Sequence, residues 1–257
     1  MSGDRRLIGV DIGGSGIKAA VVDADAGAFE GERQRIDTPD GFDFDDIVAT
    51  VAALVAELGG ADAVGVGFPG VVAHGVVKSP PTAHEYPGWL GRDLAKAIGG
   101  AGDAPAIVLN DADAAGVAEV RFGAGRDRDG LVMIFTLGTG VGSAVFVDGE
   151  LVPNTELGKL FLEGHDDVAE LYMADRVRTD EDLSWEAYGR RLHEYFAHVD
   201  RLFTPDLVVI GGGVSKKHEK FLDEVDIRVP VVPAELRNQA GIVGAATAAA
   251  SLLGRGR

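Results

Sequence analysis

The chain has 257 residues, 46% of them hydrophobic, and its 41 acidic and 24 basic side chains give a formal net charge of −17. That length permits one large domain or two small ones with ample core. The charge argues against duplex nucleic acid or an anionic membrane as partner, and the absence of cysteine excludes disulfides and cysteine-bound zinc or iron–sulfur sites.

Residues 7–23, LIGVDIGGSGIKAAVVD, predict a strand, a turn of Gly13, Gly14, Ser15 and Gly16, and a second strand. A P-loop or dinucleotide loop would run from strand into helix, so this is a hairpin of another kind. Its glycines let backbone amides converge on an anion. Asp11 ends the first strand, where a carboxylate can hold a metal ion beside that anion. Asp11 also interrupts the apolar run behind Arg5 and Arg6 too soon for a secretory signal.

A polar connection follows over 34–41. Ile47, Val48, Val51, Leu54, Val55 and Leu58 then have helical spacing, with Asp43 as N-cap and Gly59-Gly60 as terminator. Residues 65–70, GVGFPG, formally match G-x-G-x-x-G. Pro69 leads into another apolar run rather than a helix, so the dinucleotide reading is rejected, and the turn either lines a pocket or is only a strand end. Residues 79–89 predict a long irregular loop, a form that is often functional. A short helix over 92–98 leads to a strand over 106–109, which ends in Asn110-Asp111 before a helix over about 112–122. That pair is either a helix cap or a carboxylate poised as general base at a strand end.

Residues 131–147, LVMIFTLGTGVGSAVFV, repeat the opening grammar around Gly138, Thr139 and Gly140. Two such hairpins imply an internal duplication and two domains. After Asn154-Thr155-Glu156-Leu157-Gly158-Lys159, the charge-rich residues 163–182 carry no clear assignment. Tyr188, Leu192, Tyr195, Phe196, Val199, Leu202 and Phe203 mark an amphipathic helix with a core-facing stripe. A strand over 207–210 enters Gly211-Gly212-Gly213, with a helix starting near Ser215, a third arrangement that can meet a phosphate. Lys216, Lys217 and Lys220, three of the seven lysines, lie on that helix. A strand over 229–232 precedes an alanine-rich helix over 241–253. The apolar stretch that contains this helix is too short to span a bilayer, and the expected location is cytoplasmic.

DIGGSGIK, LND, TLGTGVG, NTELG and VVIGGGVSKK, in that order, resemble the motifs of ROK-family sugar kinases, within the actin-like ATPase superfamily. The resemblance spans nearly the whole chain. It implies a duplicated two-domain α/β fold of ribonuclease H-like type with a central cleft. The implied domains are 1–112 with 241–257, and 113–240. It further implies phosphoryl transfer to the 6-hydroxyl of a sugar, with Asp111 as catalytic base and Asn110, Glu156, Lys159 and Gly70 on the sugar. The donor side would comprise Asp11 with Mg²⁺, Gly13, Gly14, Ser15, Gly16, Lys18, Gly138, Thr139, Gly140, Gly211, Gly212, Gly213, Lys216 and Lys217. The clustering of Lys216, Lys217 and Lys220 makes them candidates for steering a long polyanion.

NTELG, VSKK and the tail LRNQAGIVGAA resemble the glucokinase branch of the family that uses inorganic polyphosphate, and often ATP. The resemblance implies a homodimer with no nucleic-acid or membrane partner. The family's cysteine-rich zinc motif is absent here, so no structural zinc is expected. Its ELGH is here ELGK, and Lys159 donates hydrogen bonds only, where histidine both donates and accepts. His165 resembles a histidine of the branch and receives no role. An ATP-dependent hexokinase for another hexose or an amino sugar, and a silent sugar-binding protein, stay open as alternatives. A family repressor would need a DNA-binding domain ahead of the first phosphate motif, where only about six residues stand.

Overall fold

A computed structural model describes residues 5–79 and 87–254. The chain divides into two compact units, Met1–Ala118 with Gln239–Arg257, and Glu119–Asn238. In the first unit, β1 (Leu7–Ile12) and β2 (Ile17–Asp23) form an antiparallel hairpin around the first glycine turn. Two further strands pair with β2: β3 (Ala28–Phe29), ahead of the expected polar connection, and β4 (Gln34–Ile36), within it. Helix α1 (Phe44–Glu57) follows. Asp43 occupies its N-cap position in extended backbone, although its side chain makes no capping hydrogen bond.

Strand β5 (Ala63–Phe68) lies parallel to β1, and the hairpin β6 (Val72–Ala73) and β7 (Val76–Val77) follows it, with no helix after GVGFPG. The functional reading of the 79–89 loop concerns mainly residues 80–86, outside the described residues. The turn after them buries Trp89, whose indole N–H donates to the Phe42 carbonyl at 2.8 Å. Helix α2 (Leu94–Gly102) begins two residues later than its spacing suggests, because the Asp93 carboxylate accepts from the Lys96 amide at 2.9 Å. Strand β8 (Ala106–Asn110) completes the sheet order β3-β2-β1-β5-β8 and leads directly into α3 (Asp111–Phe122).

The second unit repeats the plan. Its hairpin β9 (Leu131–Leu137) and β10 (Val141–Val147) continues into β11 (Glu150–Val152). Residues 163–182 contain two short helices, α4 (Glu170–Met173) and α5 (Asp175–Asp180). Helix α6 (Trp185–Phe203) buries Tyr188, Leu192, Tyr195, Phe196 and Val199 in the core of this unit, Tyr195 and Phe196 edge-on to Phe135, while Leu202 and Phe203 of the expected stripe face outward. Strands β12 (Leu207–Gly211) and β13 (Val231–Pro233) run parallel beside β9, giving β11-β10-β9-β12-β13. Apart from β4, which has no counterpart here, the order matches that of the first sheet.

The helix expected near Ser215 is instead an irregular 3₁₀ segment, Gly213–Lys220, interrupted at Lys217. Its early carbonyls are already engaged. The Ser215 hydroxyl donates to the Gly212 carbonyl at 2.8 Å, and the His218 ring meets the Ser215 carbonyl at 3.0 Å. Such local bonds compete with an α-helical ladder.

Helix α7 (Ala240–Gly254) returns to the first unit and packs on β1 and β5. It can do so because Gly9 and Gly65 lack side chains. A Cβ at Gly65 would lie 1.8 Å from the Ala245 carbonyl oxygen, and one at Gly9 would lie 1.9 Å from that of Ile242. The alanines of α7 are the matching half of this close approach.

Candidate active site

In the first unit, the Gly13 amide donates to the Gly16 carbonyl at 3.2 Å, closing the turn between β1 and β2. Thr38 donates its hydroxyl to the Gly13 carbonyl at 2.6 Å. Arg35, on β4, donates to the Ser15 carbonyl at 2.8 Å and lies so close to Gly16 that a Cβ there would meet its guanidinium at 2.6 Å. Asp37 holds the same guanidinium at 2.6 Å. Sequence reasoning missed Arg35 and Thr38. Both lie in the polar connection, and only the unforeseen pairing of β4 with β2 carries them to the turn. Asp11 pairs with Lys18 at 3.0 Å across the hairpin, where the two are registered Cα partners, and Gly241 in the first turn of α7 lies beside Asp11.

The Asn110-Asp111 pair divides its work. Asn110 is buried, and its Oδ1 accepts from the amides of Ala112 at 2.8 Å and Asp113 at 3.3 Å, so it caps α3. Its Nδ2 donates to the Gly70 carbonyl at 3.3 Å, which joins the GVGFPG turn to the end of β8. Asp111 is exposed at the first turn of α3, one carboxylate oxygen accepting from the Ala112 amide at 2.8 Å. The cap and the candidate base are therefore adjacent residues rather than rival readings of one.

In the second unit, the turn at Gly138, Thr139 and Gly140 closes through a 3.0 Å bond from the Gly138 amide to the Gly140 carbonyl. Residues 154–159 are stapled just beyond it. The buried Ser143 hydroxyl on β10 bonds the Thr155 carbonyl and accepts from the Leu157 amide at 2.9 Å. Gly158 packs on Val141, where a Cβ would sit 2.5 Å from the carbonyl oxygen, and Tyr195 on α6 donates to the Leu157 carbonyl at 2.9 Å.

Glu156 is half-buried on this segment. Burial raises its pKa above the usual 4.5; Lys159 lowers it and Glu170 raises it. Lys159 forms an ion pair with Glu170, whose other oxygen accepts from the Val141 amide at 3.4 Å. The residue that replaces the expected histidine is thus tied, through Glu170, to the second glycine turn. Residues Gly211, Gly212 and Gly213 leave the same sheet. Gly212 has φ +79° and presses on Leu137, where a Cβ would be 2.3 Å from the carbonyl oxygen, so only glycine fits.

Among the described residues, no three histidine, cysteine, aspartate or glutamate side chains form a metal-ligating cluster. The donor set at Asp11 is of a different type. A single carboxylate, with Lys18 on one oxygen, fits an ion such as Mg²⁺, which takes one or two carboxylates and completes its shell with phosphate oxygens and water.

A sequence model of the ROK family matches residues 7–159. The chain is 41% identical over 245 residues to a polyphosphate glucokinase of Mycobacterium tuberculosis (strain ATCC 25177 / H37Ra), covering 95% of this chain and 91% of that one. Among solved structures, the inorganic polyphosphate/ATP-glucomannokinase of Arthrobacter sp. strain KM matches with a TM-score of 0.88 at 45% identity, over 97% of this chain and 100% of that one. A ROK family glucokinase from Streptomyces griseus, in complex with glucose and AMPPNP, matches with a TM-score of 0.81 at 26% identity, over 96% of this chain and 99% of that one. The two-sheet α/β architecture is that of the actin-like ATPases.

Proposed function

This chain belongs to the ROK family, and on that premise we propose that it transfers the terminal phosphoryl group of inorganic polyphosphate, with ATP as a second donor, to the 6-hydroxyl of glucose. The observation that carries this reading is the likeness, over nearly the whole chain, to a polyphosphate glucokinase and a polyphosphate/ATP-glucomannokinase.

Asp111 accepts the proton of the sugar hydroxyl as its oxygen attacks the phosphorus, and exposure at the head of α3 suits a group that must reach substrate. Asn110, with its oxygen committed to the cap, offers the remaining hydrogen of Nδ2, beside the Gly70 backbone. Glu156 and Lys159 hold sugar hydroxyls. The reaction depends on positioning and on spreading the charge of the transferred group. Residues Gly13, Gly14, Ser15 and Gly16 with Lys18, residues Gly138, Thr139 and Gly140, and residues Gly211, Gly212 and Gly213 supply amides and charge on the donor side. Asp11 would hold Mg²⁺, which when bound neutralises donor charge. Lys216 and Lys217 steer the polyanion. The proposed assembly is a homodimer in the cytoplasm, checked by light scattering and cell fractionation. None of the described helices is long and apolar enough to cross a membrane.

The test is sugar-6-phosphate formation by purified protein with Mg²⁺, offering long-chain polyphosphate, tripolyphosphate or ATP against glucose, mannose and an amino sugar. Mannose is included because the Arthrobacter relative is a glucomannokinase. Glucose is expected to turn over with polyphosphate. In Asp111→Asn, kcat should fall about 10²–10⁴-fold, the usual worth of a positioned base, with the circular dichroism spectrum unchanged. Turnover confined to ATP would sink the donor assignment, and failure of every pair would sink the enzyme.

A further inference from the structure

Three cations surround one indole in the second unit. The Arg178 guanidinium carbon lies 4.1 Å from the centroid of the Trp185 ring, Lys217 Nζ lies 5.4 Å away and Lys220 Nζ lies 5.7 Å away. Each gains from the ring's quadrupole. That gain is countered by repulsion among the cations. Only Arg178 has a carboxylate partner, Asp175 at 2.9 Å; among the described residues, Lys217 and Lys220 have none. In a chain of net charge −17 with seven lysines, such a concentration of uncompensated positive charge asks for an anion.

Both segments that bring these cations originate at the second glycine turn. The Arg176 amide, in the first turn of α5, donates to the Gly138 carbonyl at 3.1 Å, and Arg178 follows two residues on. The segment Gly213–Lys220 starts where Gly212 presses on Leu137, the residue before that turn. The Trp185 platform is itself rigid. It stacks on buried Phe221, with ring planes 20° apart and centroids at 6.0 Å, and meets buried Tyr188 edge-on at 6.2 Å.

We propose that Arg178, Lys217 and Lys220, gathered on Trp185, bind the internal phosphates of a long polyphosphate chain whose reacting end lies at the 138–140 turn. The proposal rests on the donor reading above and extends it from the reacting phosphate to the chain behind it. The cations already cover the ring, so the surface offers charge rather than a bare aromatic face, and a polyanion without a base matches it better than a nucleotide does. Tripolyphosphate, which ends near the turn, would draw little from the patch. A long chain would draw on all three cations, and its affinity would carry the steeper salt dependence of a longer polyanion contact.

The test has a binding arm and a kinetic arm. The chain has two tryptophans, and Trp89 is buried at 1% exposure in the other unit, so a polyphosphate-induced change in emission reports on Trp185. Long-chain polyphosphate titrated without sugar should change the emission of the wild type and leave that of Trp185→Phe unchanged. In the double variant Lys217→Gln/Lys220→Gln, KM for long-chain polyphosphate should rise about tenfold and the preference for long chains over tripolyphosphate should collapse. The salt slope of long-chain binding should flatten by about 0.7 per lysine removed, as for a single-stranded polyanion. Both lysines are exposed and, among the described residues, unpaired with carboxylates, so this variant tests the idea without the risk to α5 that Arg178→Gln carries. A parallel rise in KM for both donors, or no change in either, would overturn the proposal. So would an emission change produced by ATP but not by polyphosphate. If the protein used ATP alone, the donor reading would fall, yet the sugar-free titration would still decide whether the patch binds polyphosphate.

Discussion

Burial and function pull the charge of Glu156 in opposite directions. Desolvation raises its pKa above 4.5, so the folded protein holds this proton more tightly than the unfolded chain does. The associated stability is fully present below 4.5 and is lost as pH rises through the folded pKa, leaving a net cost at neutral pH. Glu156→Gln should therefore melt higher than the wild type at pH 7 and lose that advantage toward pH 4, while its KM for sugar rises. Melting curves across that range check the sign. Lys159 acts on the same group from the other side by favouring its charged form. Lys159→Ala should move the acid limb of kcat/KM for sugar to higher pH. The candidate base was legible as an aspartate at a strand end, and so was the alternative of a cap. That Asn110 is the buried cap, accepting from two amides of the helix, while Asp111 stays exposed beside it was not, because neighbouring short polar residues offer the same chemistry until the helix forms. Arg35 and Thr38 were illegible for another reason: nothing local shows that β4, which carries Arg35 and leads to Thr38, pairs with the hairpin they brace.

The two glycine hairpins were plain in the residues, since apolar runs flanking a glycine turn leave few other structures. The duplicated strand order follows from them. The 213–220 segment was misjudged because glycine, serine and lysines read equally well as a helix start, while the decisive bonds run from the Ser215 and His218 side chains to backbone. For α7 the composition was informative and the partner was not. Gly65 looks like an ordinary strand glycine, yet it is where the helix backbone meets the sheet. Gly65→Ala should cost about 1–3 kcal/mol, the usual penalty of overpacking. At roughly 2–4 °C per kcal/mol, calorimetry should resolve the drop. An equal substitution at Gly14, where a Cβ would meet nothing within 4 Å, should leave the melting temperature nearly unchanged.

At the scale of the molecule, a strongly acidic chain that is to handle a polyanion, as proposed, needs cations near its glycine turns: Lys18 and Arg35 stand at the first, and Arg178, Lys217 and Lys220 lie on the segments that lead from the second. The closure of the first unit by α7 has a consequence of another kind. As the chain leaves the ribosome, strands β1, β5 and β8 emerge more than a hundred residues before the helix that covers them, whereas everything the second unit packs together is contiguous. The second unit should therefore be the first to mature, with the earlier-made sheet waiting bare-faced for its cover. A chain stopped at residue 239 should keep one cooperative transition, from residues 119–238, and expose the other sheet to proteases and to chaperone capture. Moving residues 240–254 ahead of residue 5 through a flexible linker should instead let the first unit complete itself early and shorten its time in chaperone hands, which pulse-labelled proteolysis of nascent chains would register.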